Sequence, residues 1–126
     1  MRFDMRSPLD GAPTADLYQA ALDMAAWAET RGGVLAIVCE HHGMADGYLP
    51  SPLVLTTAMA ARTTTLPIMV AVVILPLYRP VRLAEEIVVL DIIARGRVSY
   101  VAAIGYRPEE YPVSYTHLTL PTNREV

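Results

Sequence analysis

The chain has 126 residues, a formal net charge of −3, 53% hydrophobic residues and 18% charged ones, a length that suits one domain and falls far short of the about 250 residues of a closed (β/α)8 barrel. Weak acidity without a Lys/Arg stripe argues against nucleic acid as a partner. A single cysteine, Cys39, excludes an internal disulfide, and residues 66–78, the longest apolar run, are interrupted by Pro67 and Pro76 and fall below the about 20 residues of a membrane helix; a cytoplasmic setting without membrane contact is therefore expected.

In chain order, residues 2–6 are a short opening strand and residues 7–13, with Pro8, Gly11 and Pro13, a loop. Thr14 is placed to cap a helix over 15–31, whose buried face is expected to carry Leu17, Ala21, Met24, Ala25 and Ala28. Asp16 in its first turn and Arg31 in its last suit the helix dipole, and Gly32-Gly33 ends it. Residues 34–39 form a continuous apolar run, the mark of a parallel strand buried on both faces. A polar loop over 40–50 leads to Ser51-Pro52, an N-cap followed by proline at the first helical position, and the helix runs to 61 or 62. Residues 68–75 are a second buried strand and 75–79 its following loop. Pro80 opens a third helix with Leu83, Ile87, Leu90 and Ala94 inward, Arg95-Gly96 ends it, and 97–103 is the last strand.

The order β-α-β-α-β-α-β predicts a parallel α/β sheet with right-handed crossovers. A (β/α) barrel and an open doubly wound sheet share that pattern. Both bind ligands at the carboxyl ends of their strands, which singles out residues 40–48, 75–79 and 104–110.

Glu40-His41-His42 follows a strand directly. Successive strand residues point to opposite faces, so adjacent histidines do not chelate one ion, and neither His-x-His nor H-E-x-x-H spacing occurs; no metal is expected. A histidine acting as hydrogen-bond donor or acid fits better, with Glu40 to orient it. There is no G-x-G-x-x-G, P-loop or G-x-S-x-G. Cys39 reads as packing, Glu85-Glu86 and Glu109-Glu110 as solvated faces, and Tyr18, Met24 and Trp27 as core or interface.

The character of the chain changes after Tyr111. Val113-Ser114-Tyr115-Thr116-His117-Leu118-Thr119-Leu120-Pro121-Thr122 resembles the translation of a tagmentation sequencing adapter, with an index read as Asn123-Arg124-Glu125 and a stop after Val126. The expected division is a partial barrel domain over 1–112 and a non-native tail over 113–126, with no role for His117.

Taken together, Glu40-His41-His42, residues 46–52, Ala60-Ala61-Arg62-Thr63, Leu75-Pro76, residues 79–86, Leu90-Asp91, Gly96-Arg97-Val98 and residues 105–111 resemble the bacterial luciferase-like monooxygenase family, above all its deazaflavin-dependent branch. The resemblance implies the N-terminal half of a (β/α)8 TIM barrel, about four β/α units, truncated. It implies a reduced deazaflavin, or else FMN, as cofactor, a small organic molecule as substrate, hydride transfer or monooxygenation as reaction, and a homodimeric parent. By position, His41 matches the active-site histidine near the ring, preceded by Glu40. Ala71 and Val72 match a strand bulge with a non-prolyl cis peptide against the flavin, and Gly105 and Tyr106 match the turn near the ring or its phosphate-bearing tail.

There are departures. Ile104 stands where some members carry a phosphate-binding arginine, Tyr106 where some deazaflavin enzymes place a glutamate, and Gly32-Gly33-Val34 where Gly-Phe-Asp is usual. A half barrel is expected to leave inward residues such as Ile68, Val70 or their neighbours facing solvent and its edge strands open, hence weak stability, self-association and no turnover. The alternatives are a small open α/β module that binds an anion or nucleotide, and a structural or interaction protein.

Overall fold

Three parallel strands run side by side in chain order, each reached through a helix. The structure is a computed structural model and describes residues 1–106. Its elements are α1 (Thr14–Thr30), β1 (Ala36–Val38), α2 (Pro52–Arg62), β2 (Ile68–Ile74), a 3-10 turn (Leu75–Leu77), α3 (Pro80–Ala94) and β3 (Val98–Ala103). The proposed tail, His117 and Glu109-Glu110 lie outside the described residues.

The opening strand is reduced to a single parallel bridge between Arg2 and Ile37. Phe3 N–H donates to the Ile37 carbonyl (2.9 Å) and Ile37 N–H to that of Met1 (2.7 Å). Pairing stops there because Asp4 folds back onto Arg6, accepting from its backbone N–H and its guanidinium, and Ser7 N–H donates to Asp46 O (2.7 Å) instead of to a strand. The segment still occupies a strand's place, and it buries Phe3 and Met5.

The expected caps are absent. Thr14 is the first helical residue behind Pro13, and neither Pro13 nor Ser51 makes a side-chain cap bond. Ala21, Ala25 and Ala28 are buried, but Met24 is 48% and Trp27 60% exposed; the Trp27 ring lies under the Arg31 guanidinium at 5.7 Å. Gly33 turns the chain so closely past α1 that a Cβ there would sit 2.9 Å from the Ala28 carbonyl oxygen. The strand therefore starts at Ala36, later than the apolar run, with Val34 exposed.

Ala36, Val38, Ile68 and Val70 are each 0% exposed and join Met59, Leu83 and Leu90 in one cluster between sheet and helices. Of the residues expected to face solvent, Ile68 and Val70 are therefore covered. With side chains alternating along a strand, the open face belongs to their neighbours: Met69 and Ala71 are half-buried and Val101 is exposed.

Two charged groups fasten the connection from α2 to β2. Glu29 at the end of α1 accepts from the backbone N–H groups of Thr64 (2.9 Å), Thr65 (2.5 Å) and Leu66 (2.8 Å). These backbone donors, Thr65 first, hold its carboxyl down at about 2. From β3's side, Arg97 donates to the carbonyls of Ala60 (2.9 Å), Thr63 (3.0 Å) and Leu66 (2.8 Å). Among the described residues no helix is long and apolar enough to cross a membrane.

Candidate active site

In a parallel sheet all carboxyl ends share one edge. Here that edge carries Glu40-His41-His42 after β1, the 3-10 turn after β2, and Ile104-Gly105-Tyr106 after β3. Glu40 is 2% exposed and satisfied by three donors or partners. Ile74 N–H donates to Oε2 (2.7 Å), the Tyr78 hydroxyl donates to Oε1 (2.7 Å), and His42 Nε2 lies 2.7 Å from Oε1. One buried carboxylate thereby joins the ends of β1 and β2 to the following turn. Burial, and then this bond to Glu40, push the Tyr78 phenol upward, so it remains a proton-bearing donor.

The carboxylate therefore holds His42, while His41 is held otherwise. Its ring stacks on Tyr48, with centroids 4.1 Å apart and planes 17° from parallel. The loop brings the two together because His41 N–H donates to Leu49 O (3.0 Å) and Tyr48 N–H to Asp46 Oδ1 (3.1 Å). Tyr48 is buried, and Arg2 Nη2 donates to its hydroxyl at 3.2 Å. Burial raises the Tyr48 pKa against the opposing pull of Arg2, and the Arg2 guanidinium is itself held charged by that bond.

His41 and Tyr106 line one cavity of about 290 Å³ together with Arg2, Asp4, Arg6, Met44, Asp46 and Tyr48. Arg6 is paired with Asp4, whose carboxyl it draws down to about 2. Gly105, at φ 80°, turns the chain into Tyr106, which is 77% exposed. Of the residues picked out in the sequence, His41 and Tyr106 meet in this cavity. Glu40 stands behind it, buried. Ala71 and Val72 lie on β2, half-buried and outside the lining. The peptide bond between them is cis, and the register with β3 slips there, from Ala71↔Val101 to Val73↔Ala102.

Arg2, Tyr48 and Tyr78 hold these groups, and the sequence alone assigns none of the three a role of its own. A signal for Tyr48 existed, since an aromatic beside Asp46-Gly47 in a strand-end loop has a turn to bring it back. Arg2 and Tyr78 are distant in sequence and carry no local sign. His41 and Tyr106 are the aromatic side chains that line the cavity beside the Arg2 guanidinium, with Tyr48 stacked on His41. Among the described residues no group of three or more His, Cys, Asp or Glu is placed to hold a metal ion.

Comparison with known proteins gives a consistent result. The pattern of the luciferase-like monooxygenase family matches residues 1–118. The oxygenase component of a flavin-dependent trigonelline monooxygenase from Acinetobacter baylyi is 31% identical over 116 residues, which is 88% of this chain and 32% of that protein. A luciferase-like monooxygenase of Escherichia coli K12 is 33% identical over 89 residues, 71% of this chain and 27% of that one. Among solved structures, the oxygenating constituent of 3,6-diketocamphane monooxygenase from Pseudomonas putida, in complex with FMN, superposes with a TM-score of 0.80 at 22% identity. It covers 91% of this chain and 31% of that one. Monooxygenase RslO1 from Streptomyces bottropensis gives a TM-score of 0.81 at 23% identity, covering 90% and 35%. The fold is that of the first β/α units of a TIM barrel, and the chain spans about a third of the length of these proteins.

Proposed function

The chain belongs to the luciferase-like monooxygenase family, and from that premise we propose that it supplies the N-terminal share of a barrel that binds a reduced flavin and oxidises a small organic substrate. The observation that carries this reading is the shared cavity. His41, after the first paired strand, and Tyr106, after the third, line one space at the carboxyl end of the sheet, the end where such barrels hold their ligands. The lining fits a planar ring with an anionic tail, having a stacked aromatic pair, an exposed tyrosine and the Arg2 guanidinium. His41 and Tyr106 would meet the ring, Arg2 an anionic group, and Glu40 would position His42 and the end of β2. A reduced flavin supplies, when bound, the electrons for hydride transfer or for oxygen activation.

The sequence favoured a deazaflavin over FMN. Our reading reverses that order, because a named relative is flavin-dependent and a structural neighbour holds FMN. We also infer that the chain alone is inactive, that its tail over 113–126 is adapter-derived, and that the parent enzyme is a homodimer in the cytoplasm. The first inference rests on the open face of Met69, Ala71 and Val101, which a complete barrel would cover. Genomic sequencing of the locus with an independent library tests the second.

The cofactor reading is tested by anaerobic titration of the labelled chain with reduced FMN, followed by NMR. Weak binding, near 1 mM or about −4 kcal/mol, is expected to move His41 and Tyr106 resonances together. Perturbations confined to the helix side of the sheet, or none, would overturn it.

A further inference from the structure

We infer that Tyr48 is the positioning residue for His41, and that the opening segment, through Arg2, sets Tyr48. The inference rests on the assignment of His41 to the cofactor cavity and adds how that imidazole is aimed.

The two adjacent histidines have different partners, Glu40 for His42 and the Tyr48 ring for His41. Glu40 is occupied by His42, Ile74 and Tyr78. An imidazole at the mouth of a cavity retains rotation about its χ angles unless packing removes it. The Tyr48 ring removes it for His41. At 4.1 Å and 17° the two rings lie flat on one another, an arrangement that favours one plane of the imidazole. Tyr48 can serve as that platform because it is itself fixed. Its ring is buried, its N–H is held by Asp46 and its hydroxyl by Arg2. Arg2 in turn is anchored by the backbone bridge to Ile37 on β1. The chain of contacts runs from the start of the protein through β1 and Tyr48 to His41.

The test is NMR of the histidine-labelled 126-residue chain, with His41 assigned through His41→Gln. In the unaltered chain the His41 ring protons are expected upfield, as for protons over an aromatic face, with cross-relaxation to the Tyr48 ring. Tyr48→Leu is expected to abolish the upfield shift, and Tyr48→Phe and Arg2→Met, which both break the bond between Arg2 and the Tyr48 hydroxyl, to reduce it alike while leaving the His42 signals in place. An unshifted His41 without cross-relaxation in the unaltered chain overturns the inference, and so does a shift that survives Tyr48→Leu or is unchanged in both Tyr48→Phe and Arg2→Met. Should Tyr48→Leu fail to fold, the cross-relaxation in the unaltered chain decides alone. Adding reduced FMN separates the two readings: a stacked His41 that ignores FMN overturns the flavin assignment and leaves the stack standing.

Discussion

Glu40 shows how one side chain can belong to a site without facing it. Its carboxylate accepts from Ile74 N–H and the Tyr78 hydroxyl inside the protein, and both donors would be stranded without it. Glu40→Ala is expected to lower stability by about 2–4 kcal/mol, the cost of leaving buried donors unpaired, measured by urea unfolding. A change below about 0.5 kcal/mol would mean that water replaces the carboxylate. The Glu40-His41-His42 cluster and its place at a strand end were legible in the sequence. The pairing within it was legible too, in principle. Residues two apart share a face where the backbone is extended, which favours Glu40 meeting His42 over His41. What no local pattern contains is Tyr48 beneath His41, since that contact depends on how the whole loop closes against Leu49.

At the scale of elements, the three helices and the strand order follow from apolar period and from Gly and Pro punctuation. Pro52 and Pro80 open their helices where expected, because proline has no N–H to lose there. The phase of β2 was not legible. A continuous apolar run reads alike on both faces, so which residues turn toward the helices was decided by packing against Met59 and Leu90. The same distinction separates two positions on α3. Leu90, 1% exposed, should cost about 2–5 kcal/mol on change to Ala. Ile92, 71% exposed, should tolerate Lys within about 0.5 kcal/mol. Thermal unfolding of the pair checks this, and equal losses would refute the assigned face. Between elements, Glu29 titrates with folding. Its folded pKa of about 2 lies below the ordinary 4.5, so its contribution is complete above about pH 4.5 and fades as the pH falls toward 2. Glu29→Gln should therefore be less stable at neutral pH and show a flatter loss of stability below pH 4.5, seen by chemical denaturation at several pH values.

For the whole molecule, the uncovered sheet face and the apolar side of α3, with Val81, Val88 and Ile92 exposed, make self-association the expected state. Light scattering should give a mass that rises with concentration, and Ile92→Lys should lower it. A mass independent of concentration at one chain per particle would contradict that expectation. Contact between α1 and the start of β2 matters at this scale as well. Because a carboxylate on the first helix grips three consecutive amides just before Ile68, the distance from the second helix to the second strand is metered from outside that connector. An added residue between Arg62 and Ile68 would pull at least one amide off its acceptor and shift β2 relative to β1. At its exposed positions, Thr64, Thr65 and Pro67, the segment should thus accept changes of side chain far more readily than changes of length, which makes it a poor place for an engineered insertion.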